Sequence, residues 1–412
     1  MQTTTLSSAQ HALEFGIYRD GDNNLDASQE AVLGQALKVS QGDPNIGFAI
    51  EDTTSLKAAH GDIVKGALHT DNFTIADGKI GEAQIDKPHD MSSPDNLAQF
   101  VAHTLDEAEK SGAKQTWIDL VDHGGGDGGG LETDSTHGIM PMPKMAQAIA
   151  DGVALHAKEH PEDAGRGVDG VVANQCLMDT LGFADALSGV GVKYLAASPE
   201  TMLSPGTPSD VAEAIAQHTD DPNAMGKAVV RDVMHARYGD GFGDSFGPSA
   251  AFDVLDLDPE KIASIRSNVK ALNDALVGAA HDPNARAAIR QDVGSIDGMT
   301  RDPALQSQHL PWQADRPAMA AYDTIAHDGR LRNDVRAKAA TASKSVADIV
   351  IAHKESHDFA PFSGADYSDA AGPTVHLPTA SKQVDPWAPA ISETNNRFYQ
   401  ETDGDDLAKV LA

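Results

Sequence analysis

Short apolar runs and amphipathic stretches alternate through the first half of the chain. The apolar runs end in turns rich in Asp, Asn and Gly, such as 19–24. Short uninterrupted apolar strands separated by helices are typical of a parallel sheet that is covered on both faces. We therefore predict an α/β fold with a mostly parallel sheet flanked by helices. The predicted strands are 13–18, 46–50, 71–84 with a turn at Asp77-Gly78, 117–122, 171–176, 193–198, 250–255 and 374–377.

Amphipathic periodicity predicts helices between and after these strands. The clearest begins after Ser93, because Pro94 suits the first turn and Leu97, Val101 and Leu105 form one apolar stripe. The second half of the chain is more helical, so we expect a helical C-terminal elaboration of the fold. The other predicted helices are 145–156, 179–187, 208–218, 223–238, 259–277, 334–354 and 405–411.

The charge of the chain disfavours some classes of partner. The chain has 31 Lys and Arg residues and 62 Asp and Glu residues, which gives a formal net charge of −31. Such a field repels phosphate backbones and anionic lipids, so we expect neither nucleic acid nor a membrane as a partner. An acidic surface is also a common device for solubility, and it identifies no activity by itself.

The length and the N-terminal sequence set further expectations. A chain of 412 residues can bury a large core, and one elaborated domain fits it as well as two or three domains. Residues 1–9 lack the basic and apolar regions of a classical signal peptide. We therefore expect either a cytoplasmic protein or one exported by a non-classical route, and we expect a monomer.

A single cysteine and a histidine supply the candidate chemistry. Cys176, the only cysteine, ends an apolar run, and a second apolar run ends on His123. Because the carboxyl ends of parallel strands meet at one sheet edge, the thiol and the imidazole are expected to lie together there. A thiol beside an imidazole loses its proton easily and becomes a strong nucleophile.

Simpler roles for these residues stay open at this point. A buried cysteine often only fills the core, and the glycine-rich segment 124–130 after His123 is also what a flexible loop would have. The segment is not a phosphate-binding loop, since no Gly-Lys-Ser/Thr follows it. Asp122, His123, His137 and Cys176 lack the short spacing of zinc ligands, so no metal site is expected.

Longer motifs resemble those of the clostripain-type cysteine peptidases, which share the fold of caspases, gingipains and legumains. The matches follow one another in order along nearly the whole chain, and this makes them more specific than any short motif. The histidine also lies ~50 residues before the cysteine, as in caspases. The matching segments are 16–25, 93–97, 122–126, 176–178, 194–200 with 205–206, 252–257, 372–378 and 398–402.

The resemblance implies a cysteine endopeptidase with a caspase-like catalytic core at 1–256 and a helical extension at 257–412 that packs on the core. It makes Cys176 the nucleophile, His123 the general acid and base, and the backbone N–H groups of Gly124 and Cys176 the oxyanion donors. The expected partner is a protein or peptide substrate. The alternative is a caspase-like fold without proteolysis that serves as a binding or scaffold module, but the presence of both dyad residues favours the enzyme.

One position departs from the family pattern in the expected substrate pocket. Relatives that cleave after Arg or Lys resemble one another in having Asp two residues before the cysteine, where this chain has Asn174. A neutral amide can bind a guanidinium but cannot neutralise its charge. Glu200 is the candidate to supply the charge and Ser198 to form the pocket wall, so we expect cleavage after Arg or Lys.

Calcium dependence occurs in the family, although the dyad itself requires no cofactor. Asp20, Asp22 and Asn24 imitate the start of a calcium-binding loop. Leu25 and Ala31 replace the glycine and glutamate that such a loop needs, so we predict a strand-to-helix turn.

Self-cleavage is a further implication of the resemblance. Family members are often nicked between the histidine and cysteine strands, and this chain has a polar loop there at 156–167. Lys158 and Arg166 are the basic candidates for the cut, unless the loop only connects two elements.

Overall fold

The computed structural model describes residues 10–59, 62–202, 207, 209–242, 251–299, 314–355, 369–378 and 396–411. Its centre is a ten-stranded sheet, and two small two-stranded sheets lie beside it. The strands are β1 Leu13–Asp20, β2 Ile46–Ala59, β3 Asp62–Ala76, β4 Lys79–Ile80, β5 Gln84–Asp86, β6 Gln115–Val121, β7 Gly130–Thr133, β8 Gly138–Met140, β9 Gly170–Asn174, β10 Tyr194–Ala197, β11 Ala251–Asp256, β12 Asp315–Pro317, β13 Val350–Glu355 and β14 Thr374–His376.

The middle of the large sheet is parallel and its two flanks are antiparallel. Its order is β13-β11-β10-β9-β6-β1-β2-β3-β4, and β5 pairs with β3. The five strands β2, β1, β6, β9 and β10 run parallel to one another, so their carboxyl ends share one edge. This arrangement confirms the predicted α/β class with a mostly parallel centre.

Helices cover both faces of the sheet because the parallel strands are apolar on both sides. Ile118 and Leu120 of β6 belong to the core on one face, while Trp117 and Val121 belong to the core on the other. The helices are α1 Asp26–Gln29, α2 Ala31–Gly42, α3 Pro94–Ser111, α4 Met142–Glu159, α5 Leu181–Gly189, α6 Val211–Ala216, α7 Pro222–Phe242, α8 Pro259–Ala279, α9 Pro283–Gly294, α10 Ala318–His327, α11 Asn333–Ala347, α12 Arg397–Thr402 and α13 Gly404–Leu411.

The C-terminal part of the chain completes the sheet as well as covering it. Strand β13 pairs with β11, and the apolar side chains of α8, α10 and α11 join the same core cluster as α3, α4 and α5. The described parts of 257–412 are therefore built into the main core. No helix in these described ranges combines the length and the apolarity needed to cross a membrane.

Two features of the fold differ from the sequence-based expectation. The helix predicted for 334–354 was wrong at its end, because α11 stops at Ala347 and 350–355 form strand β13. The run 349–351 is β-branched, and pairing with β11 stabilises it as a strand. The strand predicted at 46–50 is also only the start of the long hairpin of β2 and β3, whereas the turn at Asp77-Gly78 is present with both φ angles positive.

Candidate active site

His123 and Cys176 follow two neighbouring strands at the same edge of the sheet. His123 lies two residues after β6 and Cys176 two residues after β9, and these strands are parallel with Val121 opposite Asn174. Beyond the ladder, the N–H of Asp122 donates to the carbonyl of Asn174 over 3.3 Å. Both side chains are half-buried. The two predicted dyad residues therefore leave the sheet side by side.

The backbone of Gly124 packs directly against the cysteine segment. A Cβ atom at this position would lie 2.2 Å from the carbonyl oxygen of Cys176, so no larger residue fits without movement of the backbone. The side-chain amide of Gln175 also donates to the carbonyl of His123 over 3.1 Å. The histidine turn and the cysteine turn are thus held together, and this close approach explains the glycine.

The His123 ring is oriented by Asn24, which sequence analysis did not connect with it. Its Nε2 atom lies 2.8 Å from Asn24 Oδ1. Since an amide oxygen only accepts hydrogen bonds, this contact places the ring proton on Nε2 and leaves the lone pair on Nδ1. Burial lowers the pKa of His123, although Glu132 and Asp134 oppose that shift. The ring is therefore neutral at pH 7 and able to accept a proton.

Two buried carboxyl groups shape the turn that carries Asn24. Asn23 donates to Asp122 Oδ1 over 2.6 Å, and the N–H of Glu132 donates to Asp122 Oδ2. Asp20 accepts from the Thr133 hydroxyl at 2.6 Å and from the Asp22 N–H at 2.8 Å. Burial raises the pKa of Asp20 to about 7, and burial with the neighbouring Asp20 charge raises that of Asp122 well above its usual range.

The same hydrogen bonds argue against a calcium ion in this turn. The segment between β1 and α1 is a strand-to-helix turn, as its sequence predicts. Each carboxylate oxygen of Asp20 and Asp122 already accepts a hydrogen bond from the protein, and Asp22 Oδ2 accepts one from the N–H of Ser135. Calcium needs six to eight oxygen ligands, so an ion here would have to share or displace these donors, and calcium dependence stays a prediction.

The glycine-rich segment after His123 is an ordered, buried part of the site. Residues Gly126–Gly128 form a 3₁₀ turn in which Asp127 is 1% exposed. Asp127 accepts from the Thr180 hydroxyl at 2.6 Å and from the Tyr399 hydroxyl at 2.7 Å. One carboxyl group therefore links the histidine turn, the cysteine turn and helix α12. Burial, with the nearby Asp315 charge, raises the pKa of Asp127 to about 6.

The backbone around Cys176 is strained and lies close to its sulfur. Leu177 adopts a φ of +68°, a left-handed conformation that is rare outside glycine and is concentrated at functional sites. The N–H of Met202 donates to Cys176 Sγ over 3.2 Å. An N–H group aimed at sulfur stabilises its negative charge, and it also places 201–202 over the thiol.

The three predicted substrate-binding residues lie beside Cys176, but they are buried. Asn174 donates to the carbonyl of Thr207 at 3.0 Å and accepts from its N–H at 2.6 Å. The Ser198 hydroxyl lies 2.8 Å from the carbonyl oxygen of Ala251, and Glu200 Oε1 accepts from the N–H of Thr201 at 2.7 Å. Their contact with substrate stays a prediction, and it requires them to exchange these partners.

Asp119 is a residue that sequence analysis overlooked. It lies between Trp117 and Val121 on β6, so its side chain is on the same face of the sheet as Asn174. Val121 is the residue opposite Asn174, and Asp119 lies two residues before it, closer to the amino end of the strand. Burial raises the pKa of Asp119 well above its usual range, and the nearby Asn174 amide opposes this only in part. Neither of its oxygens accepts a hydrogen bond from the residues that the structure describes. The signal was visible as a single charge inside an apolar strand.

Comparison with solved structures identifies the fold. A secreted C11 cysteine protease from Bacteroides thetaiotaomicron, in complex with an irreversible peptide inhibitor, matches 96% of this chain and 100% of its own, with a TM-score of 0.62 and 12% identity. An inactive zymogen C11 protease from Parabacteroides distasonis matches 95% of this chain and 98% of its own, with a TM-score of 0.59 and 14% identity. The chain has the fold of the C11 cysteine proteases. No protein-family model and no curated protein sequence matches it.

The likeness to C11 proteases confirms the caspase-like fold that the clostripain motifs predicted. It extends over nearly the whole chain, and therefore includes the C-terminal segment that supplies β13 and Tyr399. At 12–14% identity it shows the fold alone. The chemistry has to be argued from the residues at the strand ends.

The two candidate self-cleavage residues lie far from Cys176 in this C11 fold. Lys158 is in the last turn of α4, and Arg166 precedes β9, at the amino ends of the strands. Arg166 is bound there by Asp163 and by the carbonyl of Ala113, the latter over 2.9 Å. Strand β9 has five residues, about 17 Å, which separate Arg166 from the site.

Proposed function

We propose that this chain is a cysteine endopeptidase in which Cys176 is the nucleophile and His123 the general acid and base. The observation that supports this most directly is the contact of the Gly124 backbone with the carbonyl of Cys176. It brings the two turns to one point on the carboxyl edge of the sheet, where parallel α/β folds bind ligands.

The reaction follows from the protonation state of His123. With the proton held on Nε2 by Asn24, Nδ1 takes the proton of the Cys176 thiol and the sulfur attacks the peptide carbonyl carbon. The C–N bond then breaks, and the imidazolium gives its proton to the leaving amine. Water attacks the thioester while the imidazole accepts a proton, and cleavage of the S–C bond regenerates the thiol. No step uses a cofactor.

The oxyanion that forms in each step needs fixed donors. The N–H of Gly124 donates to no backbone carbonyl within the described residues, while the hydrogen bonds on either side of it join Gly125 to Gly129 and Leu131 to His123. It is therefore held rigidly and available. Together with the N–H of Cys176 it supplies the oxyanion hole in our proposal.

Specificity for Arg or Lys requires a negative charge near the P1 side chain. Asn174 is neutral, and Glu200 is turned towards its own backbone neighbour. We propose that Asp119 provides this charge by ionising when a basic P1 group approaches. It lies on the same face of the sheet as Asn174, two residues before the position opposite it. A buried acid with a raised pKa, which among the described residues has only the neutral Asn174 amide near it to offset its burial, is suited to that task, because a bound cation compensates the burial cost.

The alternative is a C11 fold that binds proteins without cleaving them. The contact of Met202 with the sulfur and the buried state of Asn174, Ser198 and Glu200 would favour it if they persisted in the presence of substrate. We interpret them as a closed state of an enzyme. Self-cleavage after Arg166, if it occurs, is expected between molecules, given the position of that residue.

The test is labelling with an Arg- or Lys-directed acyloxymethyl ketone, followed by mapping of the modified residue. We expect one label on Cys176 in the wild type and none in Cys176→Ala or His123→Ala proteins that retain native circular dichroism. Fluorogenic peptides with Arg, Lys, Asp or Leu at P1 measure turnover. A folded wild type that neither labels nor cleaves any of these peptides would support the binding module instead.

A further inference from the structure

A second cluster of reactive side chains lies at the opposite edge of the sheet from Cys176. Helix α3 ends there with Asp106 and Glu109 in its last turns, and helix α4 ends there with His156 in its last turn and His160 directly after it. The 3₁₀ turn Pro161–Asp163 follows. Because α3 leads into β6 and α4 leads into β9, the cluster lies at the amino ends of these strands. It takes no part in the proposed peptidase chemistry.

Three atoms of this cluster are arranged like the ligands of one metal ion. His156 Nδ1 lies 2.7 Å from Asp106 Oδ1, and His160 Nε2 lies 3.4 Å from the same oxygen. All three ligand atoms lie within 4.8 Å of one another. Tetrahedral zinc with bonds of about 2.0–2.1 Å separates its ligands by about 3.3 Å. The two imidazoles are one helical turn apart, as in other helical zinc sites.

The outer atoms of both rings are also placed as a metal site requires. His156 Nε2 faces Asp163 Oδ2 at 3.4 Å, and His160 Nδ1 faces Glu109 Oε2 at 2.6 Å. Histidines that bind metals usually donate their second N–H to a carboxylate, which fixes the tautomer and the ring orientation. Each histidine here has one carboxylate on the inner side and a different one on the outer side. Ion pairing alone does not require this double arrangement.

The balance of charge in the cluster favours a cation. Asp106, Glu109, Glu162 and Asp163 surround the two rings, whereas two permanent cations lie near them in the described part of the chain: Arg166, paired with Asp163, and Lys110, paired with Glu107. The side chain of His156 is fully buried, so its environment is not simply solvated. Two imidazoles with one carboxylate suit Zn²⁺ better than calcium or magnesium, which prefer oxygen ligands.

We propose that Asp106, His156 and His160 bind one Zn²⁺ ion, which fastens the end of α4 to the end of α3. The rings now lie nearly parallel, with centroids 4.9 Å apart. Rotation of the His160 ring, which is 28% exposed, would bring its Nε2 atom to bonding distance from an ion held by Asp106 and His156. A second set, Glu109, His160 and Glu162, shares His160 but offers only one imidazole and an exposed glutamate, so it is the weaker site for zinc.

The ion would stabilise the segment that joins the histidine and cysteine strands. His156 contacts Asp163, and Asp163 binds Arg166. A metal ion that fixes His156 therefore also restrains Arg166 and the peptide bond after it. With zinc bound, the polypeptide around Arg166 should open less often for a protease. Bound zinc would therefore protect the segment between the histidine and cysteine strands from proteolysis. This effect is independent of the peptidase activity proposed for Cys176.

The experiment measures zinc binding directly in an untagged protein. The Cys176→Ala variant, freed of metal with EDTA, is titrated with ZnCl₂ by isothermal calorimetry, so that the thiol cannot compete. We expect one site per chain. In that background His160→Gln should weaken binding at least about tenfold, and Glu109→Gln by about 10- to 100-fold. His327→Gln, which changes an exposed histidine in the last turn of α10, should leave binding unchanged.

Two further readouts separate binding from folding. Zinc at a hundredfold excess over its dissociation constant should raise the melting temperature by about 3 °C and slow tryptic cleavage after Arg166. His160→Gln should melt like its parent without zinc and show neither effect with it. Equal zinc affinity of parent and His160→Gln, or no saturable binding by the parent, would overturn the proposal.

Discussion

Asn24 Oδ1 lies 2.8 Å from Nε2 of His123, although the two residues are 99 positions apart. The contact exists because Asp122, next to His123, accepts a hydrogen bond from Asn23, next to Asn24. The polar turn after β1 thereby positions a ring that follows β6. Asn24 is a positioning residue in the proposed mechanism, since it acts on substrate only through His123.

Replacing Asn24 should therefore change catalysis without preventing folding. We expect Asn24→Ala to lower kcat/KM by about 10- to 100-fold, mostly through kcat, because the ring loses its fixed tautomer. Asn24→Asp should restore the orientation and add a negative charge that raises the pKa of His123. Its acidic limb in the pH–rate profile should move to higher pH. A KM effect alone, or an unchanged pH profile in Asn24→Asp, would contradict this role.

Asp119→Asn tests the origin of the P1 preference. Removal of the buried carboxyl group should lower kcat/KM for Arg and Lys substrates by about 10- to 100-fold relative to an uncharged P1 residue, the value of a desolvated charge contact. Asp179→Asn is the matched control, since Asp179 is fully buried near Cys176 but contacts Asp253. An unchanged preference in Asp119→Asn would assign the charge to Glu200.

Tyr399→Phe tests the link between the C-terminal segment and the glycine-rich turn. The change removes the bond to Asp127 and the bond that the Tyr399 oxygen accepts from the N–H of His376. We expect a loss of about 2–3 kcal/mol in the free energy of unfolding, because both partners stay buried. Urea denaturation measures it. Tyr194→Phe, at the amino edge of the sheet, should cost much less, and equal losses would argue against the link.

The sequence was informative where local pattern decides structure. The strand ends at His123 and Cys176, the helix after Ser93 and the turn at Asp77-Gly78 all follow from apolar runs, capping residues and glycine. Strand β13 could not be predicted, since its apolar residues continue the pattern of α11 and only pairing with β11 makes them extended. Helices α2, α9, α10 and α12 were not predicted either, although α9 begins with the capping residue Asp282 and with Pro283, signals of the kind that predicted the helix after Ser93.

The residues that support and orient the candidate site could not be predicted, for a different reason. The Tyr399–Asp127 bond joins positions 272 residues apart, and the bond between Asn24 and His123 joins two turns on different strands. Such contacts depend on the complete topology, in which β1 lies beside β6 and α12 packs on α5. A local motif names the reacting atoms, whereas the long-range fold orients them.

The carboxyl group of Asp20 should make stability depend on pH. Its pKa is about 7 in the folded protein and ~3.9 in an unfolded chain. Between these values the folded state holds a proton that the unfolded state has lost, so the contribution of Asp20 to stability falls as the pH rises from about 4 to 7. Asp20→Asn removes this dependence, since its amide does not titrate.

We therefore expect the free energy of unfolding of Asp20→Asn to gain on the wild type as the pH rises from 4.5 to 8. The gain should approach a few kcal/mol, at most about 4, which is the full pKa difference expressed as free energy. Urea titrations at four pH values measure it, and Asp323→Asn, an exposed change on α10, serves as the control. Parallel pH curves for wild type and Asp20→Asn would mean that Asp20 is ionised throughout, in which case the Thr133 and Asp22 hydrogen bonds outweigh its burial.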